Sequence, residues 1–449
     1  MSAPHLSDLL DTGAFPDFAA LEPAPGRPVH VAGLAGSAPS ALVAAQFRKR
    51  TGPLLYLAAD AKDADSTADD LAAWLGDESV LRFPGLDLKP YEWRLPFGRV
   101  REARLEAFEA LYRCAKTNRP VVLVTTAAAF LERFQSPREL HREIVALRPG
   151  DALDPSVFRE AAAALGFREE TVVQDIGDFS VRGEILDVYP FLANNPIRIV
   201  LDGDRVESIR EFDIFSQRSI REVTEVSLLP QDECCYTDAE IEAGLLEHLD
   251  ALGGEDAYQS ELHRLTRKRD LAGIHWQKAF FKKLDHTLLD FLGSKAGAVR
   301  VVVGDSEGLA RAVEKTWEAA RTGYSSAREA GRLVNPPEEL LLQAKELHRL
   351  LDAHPTVHIG RVAWEGPGSA VFSVEPQRRA GAGLGDAEPL IRGLAGEGLR
   401  IWLTCPNPAQ AERLRKAAAP LGVEDVLEGN LASGFVDRTQ GVAVLTDHQ

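Results

Sequence analysis

Between Phe179 and Pro230 the chain repeats apolar residues at every second position in short runs, and this limits what the region can become. The runs pass through Val181, Glu184-Ile185, Asp187-Val188 and Ile197-Arg198-Ile199, then return in Val206-Glu207-Ser208-Ile209-Arg210. A period of two buries one face of a strand and leaves the other wet, so half-buried antiparallel strands are expected. Asp202-Gly203 interrupts two such runs and predicts a hairpin, because Gly accepts the positive φ of a tight turn. Arg182, Arg198 and Arg210 are spaced to emerge from one sheet, which makes that sheet a candidate docking surface.

The preceding 140 residues follow a different rule. Short β-branched or Leu-rich runs (28–32, 54–58, 79–83, 121–125) alternate with helical stretches, including Ser40–Arg50, one capped by Ser66, and Arg99–Lys116. This alternation predicts a parallel sheet covered on both faces. The first strand leads into Gly33-Leu34-Ala35-Gly36-Ser37-Ala38-Pro39-Ser40, where a nucleotide-binding protein carries its phosphate loop. A working loop needs backbone amides around the phosphates, a lysine against their charge and a hydroxyl for magnesium. Gly33, Gly36, Ser37 and Ser40 keep the outline of such a loop, but the lysine is absent and Pro39 removes an amide donor. The loop is therefore expected to be non-functional, a plain strand-to-helix turn. Asp232-Glu233-Cys234-Cys235 spells a helicase-like acidic box, yet Pro230-Gln231 separates it from the apolar run and no lysine partners it.

A net charge of −17 makes bulk attraction to nucleic acid unfavourable, so such binding would need a local basic patch. Two stretches qualify. Lys89 to Arg119 carries eight Lys and Arg against four Glu, beside Tyr91, Trp93 and Phe97; residues 261–283 are also basic. Each is equally a helix with a solvated basic face. Cys114, Cys234, Cys235 and Cys405 are too few for a disulfide framework and badly spaced for zinc, which fits a reducing cytoplasm. No signal peptide and no membrane-length apolar run is read.

From Asp154-Pro155, a helix start with Pro at the first position, a second unit runs to Pro230. Helix and strand return after it, and Asn335-Pro336-Pro337 reads as a linker into a last α/β unit with Val357-His358-Ile359 as a strand and Gly381 to Gly385 as a turn. The expected layout is 1–140, 141–230, 231–345 and 346–449. A terminal strand reaching the last residues suggests that the chain is part of a longer protein.

These residues carry a family likeness. Gly166-Phe167, the run Val181 to Pro190, Pro196 to Ile199, Ser208 to Asp213, Ser216-Gln217-Arg218 and Leu228-Leu229-Pro230 resemble a motif shared by UvrB and the bacterial transcription-repair coupling factors (Mfd). Ala272-Gly273-Ile274, Trp276-Gln277, Phe280-Phe281 and Leu431 to Phe435 with Val444-Leu445-Thr446 resemble the coupling factors.

The resemblance implies a multidomain α/β fold: a degenerate P-loop-type parallel-sheet domain in two parts (1–140 and 231–345), an inserted antiparallel α/β domain that binds UvrA (141–230), and a small C-terminal α/β domain. It implies a non-catalytic module that recruits UvrA to RNA polymerase stalled at DNA damage. No cofactor is expected in these 449 residues. ATP, magnesium, RNA polymerase and duplex DNA would be engaged by a translocase part that is not among them. Arg182 and Arg198 match family arginines that contact UvrA, and Arg210 and Asp202 are carried with them. Where the family tends to place two phenylalanines and then acids, this chain has Leu201 and Asp202, then Gly203-Asp204 and Arg205. The alternatives are an ATP-dependent, damage-verifying helicase of the UvrB type and a non-specific DNA-binding module.

Overall fold

The computed structural model describes residues 4–447 except 51, 143–144, 235, 269, 294–298, 379–383, 422 and 424. Its largest sheet has seven parallel strands, in the spatial order Ser369–Val371, Val29–Ala32, Thr356–Ile359, Arg300–Val303, Leu54–Ala58, Val122–Thr126 and Val80–Phe83. Its inner strands are apolar on both sides for the reason parallel sheets are: helices cover each face. Leu55, Leu57, Leu123, Val301 and Val303 point into one core. Leu54, Tyr56, Val122, Val124 and Val302 point into the other.

The division of the chain differs from the expected one. Thr356–Ile359 lies between Val29–Ala32 and Arg300–Val303 in this first sheet, not in a last unit. Parallel strands that meet in space can be hundreds of residues apart, so local pattern carries no signal of it. Asn335-Pro336-Pro337 is not an exposed linker. Asn335 is fully buried; its backbone carbonyl accepts from the Tyr91 hydroxyl (2.7 Å) and its side chain accepts from the Ala279 amide (3.0 Å). The helix expected to start at Ser66 begins at Ala61, because the Asp60 carboxylate already caps it through the Asp63 amide. Of the expected turn at 381–385, residues 381–383 lie outside the described residues, and Leu384 starts the helix Leu384–Gly396.

The small C-terminal sheet holds five strands, Val374–Pro376, Phe435–Asp437, Val442–Thr446, Arg400–Cys405 and Val426–Glu428. One of its faces shares a core with the first domain through Trp402, Leu431, Phe435 and Val444. The other packs its own helices over Ile401, Leu403 and Ala443.

The inserted unit forms as its alternation predicts. Six strands stand in the order Ser219–Glu222, Arg205–Phe212, Ile197–Asp202, Ile185–Val188, Asp178–Arg182 and Arg168–Glu169, antiparallel except for the last pair. Gly203, at φ +64°, closes the hairpin between the paired residues Asp202 and Arg205. Phe179, Leu186, Val188, Ile197, Ile199 and Ile209 fill the inner face against Phe158 and Ala162. Those two belong to the helix Pro155–Ala164, capped by Asp154 as expected. Burying one face fixes the register, since a slip of one residue would turn the whole apolar set to water.

Candidate functional site

The same register decides what the outer face of the inserted sheet displays. Asp187 stands opposite Arg198, Arg198 opposite Arg210, and Arg210 opposite Glu222. Like charges directly across a ladder repel, so Arg198 and Arg210 need acids on their far sides. They have them: Arg210 pairs with Glu222 (3.2 Å), and Arg198 makes a two-pronged pair with Asp187 (2.7 and 2.9 Å). Arg182, immediately before the Gly183-Glu184 turn, also donates to Asp187. Asp187 is 1% exposed because the two guanidiniums cover it.

The arginines are not equivalent. Arg198 is the scaffold. Only 19% of its side chain is exposed. Its guanidinium lies 4.5 Å from the centre of the buried Phe212 ring and donates to the Gln217 side chain (3.2 Å). The Asp187 hydrogen bonds raise its pKa, holding it charged against the burial that opposes the charge. Arg182 is 46% exposed and makes one side-chain contact, so it keeps donors for a partner. Asp202 is exposed on the same face, at the hairpin tip beyond Val200. The structure thus brings Arg182 and Arg198 together on one acid, sets Arg210 beside them, and leaves Asp202 at the rim.

Sequence reasoning missed the loop that completes this face. Asp213 to Arg218 folds into a closed turn: the Ser216 amide and hydroxyl donate to Asp213 (2.7 Å each), the Asp213 amide donates to the Arg218 carbonyl (2.9 Å), and Gln217 takes φ +59°. Phe215 sits on this turn, 94% exposed; Ile220 is exposed on the strand that follows it, and Ile185 on the strand Ile185–Val188. A large aromatic held open on an ordered turn is the type of residue that anchors protein interfaces. A bulky apolar residue among the polar turn formers Asp213, Ser216 and Gln217 was the available signal.

The phosphate-loop outline has a different occupant. A side chain at Gly33 (φ +78°) would strike the Phe372 carbonyl, and one at Gly36 (φ +57°) would strike the Gly434 carbonyl. Ser37 donates its amide to the Ser433 carbonyl (3.1 Å) and its hydroxyl accepts from the Ser433 amide (3.1 Å). Ser40 donates to Asp70 (3.1 Å), which also accepts from the Ala432 amide (2.7 Å). Burial pushes the Asp70 carboxyl up, and these donors work against the rise. The glycines admit the chain's own backbone at 372 and 434.

The acidic box is likewise structural. Arg104 is 1% exposed and forks onto both Glu132 (2.8 and 3.0 Å) and Glu233 (2.7 Å twice), its guanidinium 4.3 Å from the Phe83 ring centre. Cys235 lies outside the described residues. The basic stretches are largely spoken for too: Arg264 pairs with Glu261 (2.6 Å), Lys283 pairs with Asp285 (2.6 Å), and Lys278 is buried beside Glu132. Arg269 is outside the described residues.

Residues 145–234 match the family described as the UvrB interaction domain, which is the whole inserted unit. Curated relatives named transcription-repair-coupling factor match far more of the chain. The one from Myxococcus xanthus is 27% identical over 94% of this chain and 39% of its own length. Those from Escherichia coli (25%, over 73% of this chain and 28% of the relative) and Bacillus subtilis (30%, over 49% and 18%) agree. The likeness to the transcription-repair coupling factors holds over most of the chain. The chain spans well under half the length of each of these relatives. Among the described residues no helix is long and apolar enough to cross a membrane.

Proposed function

We propose that this chain is a non-catalytic, UvrB-like docking module of transcription-coupled nucleotide excision repair, and that the outer face of its inserted sheet binds UvrA. The observation that carries this is the match of residues 145–234 to the UvrB interaction domain, together with the arginine-bearing face those residues build. Arg182 and Phe215 are the contact residues; Asp187 and Arg198 set their platform. Planar guanidiniums pair bidentately with carboxylates, so the complementary surface is acidic.

Catalysis by a UvrB-type motor is disfavoured by the loop between Gly33 and Ser40, whose approaches are taken by Phe372 and Gly434. ATP with magnesium, RNA polymerase and duplex DNA are assigned to parts beyond these 449 residues. The test is a titration of this chain with UvrA, repeated with Arg182→Ala and Phe215→Ala. Loss of binding with an unchanged fold supports the reading; undiminished binding by the double variant rejects it.

A further inference from the structure

The acidic box left one group of side chains unexplained. Asp232, Cys234 and His275 are each at most 2% exposed, and one ligand-type atom from each lies within 4.8 Å of the other two. His275 belongs to the short turn Ile274–Trp276 of the host domain, while Asp232 and Cys234 sit where the chain leaves the inserted unit. One carboxylate oxygen of Asp232 accepts from the Cys234 amide (2.8 Å). The other, Oδ2, faces His275 Nε2 at ion-pair distance (3.4 Å), and among the described residues neither atom makes a hydrogen bond. Buried polar atoms of this kind are costly when left unmet, and an ion or water is the usual reason for finding them.

The three side chains are also close enough together to share a metal ion. Zinc takes nitrogen and oxygen ligands at about 2.0–2.2 Å and sulfur at about 2.3 Å, so tetrahedral ligand atoms stand roughly 3.3–3.6 Å apart. The Nε2 to Oδ2 distance of 3.4 Å is of that size, while Cys234 Sγ, which lies 3.5 Å from the other ring nitrogen, is held only within the 4.8 Å that encloses the set. With the ion on Nε2 beside Asp232, Nδ1 keeps Glu233 as a neighbour (3.9 Å), and such outer partners orient metal-bound histidines. Glu233 itself is held by Arg104, so the fourth position falls to water. A 20 Å³ void lined by Cys234, Glu233 and Lys278 has room for one. A 420 Å³ cavity between the inserted and host units, lined by Gln231, Cys234, Tyr236 and Phe167, gives the ion a way in.

We propose that Asp232, Cys234 and His275 form a site for a thiophilic divalent cation, zinc in kind, which staples the exit of the inserted unit to its host. Thiolate and imidazole donors select against magnesium, so the site is unrelated to motor chemistry. The reduced full chain is titrated with Co²⁺, and separately with Zn²⁺ against a chromophoric chelator. About one ion per chain and a cobalt–thiolate charge-transfer band in the near ultraviolet are expected. Cys234→Ser should abolish the band and weaken Zn²⁺ more than about 100-fold, beyond the usual effect of losing an outer partner. Cys405→Ser, at a buried thiol elsewhere, should change neither. No thiolate band in the unmodified chain overturns the proposal, whether or not any variant folds; so does a band that survives in folded Cys234→Ser.

Discussion

The sharpest expectation concerns the unequal arginines of the outer face. Arg198→Ala removes two charge-assisted hydrogen bonds from a carboxylate that is 1% exposed, and it uncovers Phe212. Truncating one partner of a buried pair costs about 3–5 kcal/mol when the other charge is stranded. Here Arg182 remains on Asp187 and water can enter, so roughly 2–3 kcal/mol of domain stability is expected. Arg182→Ala leaves the Arg198–Asp187 fork intact and removes a half-exposed side chain, so its stability cost stays below about 1 kcal/mol. In binding, the order of cleanliness reverses. Arg182→Ala should weaken UvrA about tenfold, or 1.4 kcal/mol, with an unshifted urea midpoint. Arg198→Ala should weaken it at least as much, and with a lowered midpoint. The assay pairs a UvrA titration with urea unfolding followed by circular dichroism on the same preparations. Equal stability losses in the two variants would show that the platform reading is wrong, and unchanged UvrA affinity in Arg182→Ala would show the docking reading wrong. Charge reversal at Arg198 is a poor probe: it sets a glutamate against buried Asp187, so any lost binding reports a broken face.

Three further outcomes follow from the packing. Arg104→Ala strands two buried carboxylates and should cost about 3–5 kcal/mol in urea unfolding, and Arg104→Met with Glu132→Gln and Glu233→Gln should recover more than half. Burial, reinforced by His30, holds the His358 imidazole down at about 4. The unfolded chain then binds more protons between pH 6.5 and 4, so stability is complete above 6.5 and falls across that window by up to about 3 kcal/mol. His358→Gln should flatten that part of the profile when urea midpoints are compared at pH 7.5 and 5. Gly36→Ala combines φ +57° with a clash against the Gly434 carbonyl. It should cost about 1–2 kcal/mol or more and speed hydrogen exchange at 431–434, leaving UvrA affinity unchanged.

The inserted domain was legible in the sequence because its information is local. Alternation fixes which face is buried, and that alone put Arg182, Arg198 and Arg210 on the other one, while Asp202 read as part of a turn. The role of Asp187 was not legible. It lies in the same alternating run, but its value as a shared counter-ion depends on which strands are neighbours and in what register. Phe215 was missed because turns are read by their polar formers, and its exposure depends on how Gln217 and Asp213 close the loop. In the host sheet the strands themselves were legible, while their order was not. Thr356–Ile359 reads as a strand anywhere, and only packing inserts it between strands that begin at 29 and 300.

The motor-like features explain why the proposed docking face is what remains. A glycine loop after a first strand is retained when something must approach its backbone closely, and in a nucleotide-binding protein that is a phosphate. Here the approach is made by the carbonyls of Phe372 and Gly434, so the same glycines serve to seat the C-terminal unit. The acidic box shows the same change of use. Glu233 neutralises Arg104 from the host helix, and Asp232 and Cys234 face His275, so the box joins the inserted unit to its host. Both features bind this chain to itself. A face built of Arg182, Phe215 and Ile185 on a register-fixed sheet does the opposite: Arg182 pairs within its own sheet, and charge and an aromatic are presented to solvent. In a chain whose motor-like features are turned inward, that outward face is where we propose a partner is met.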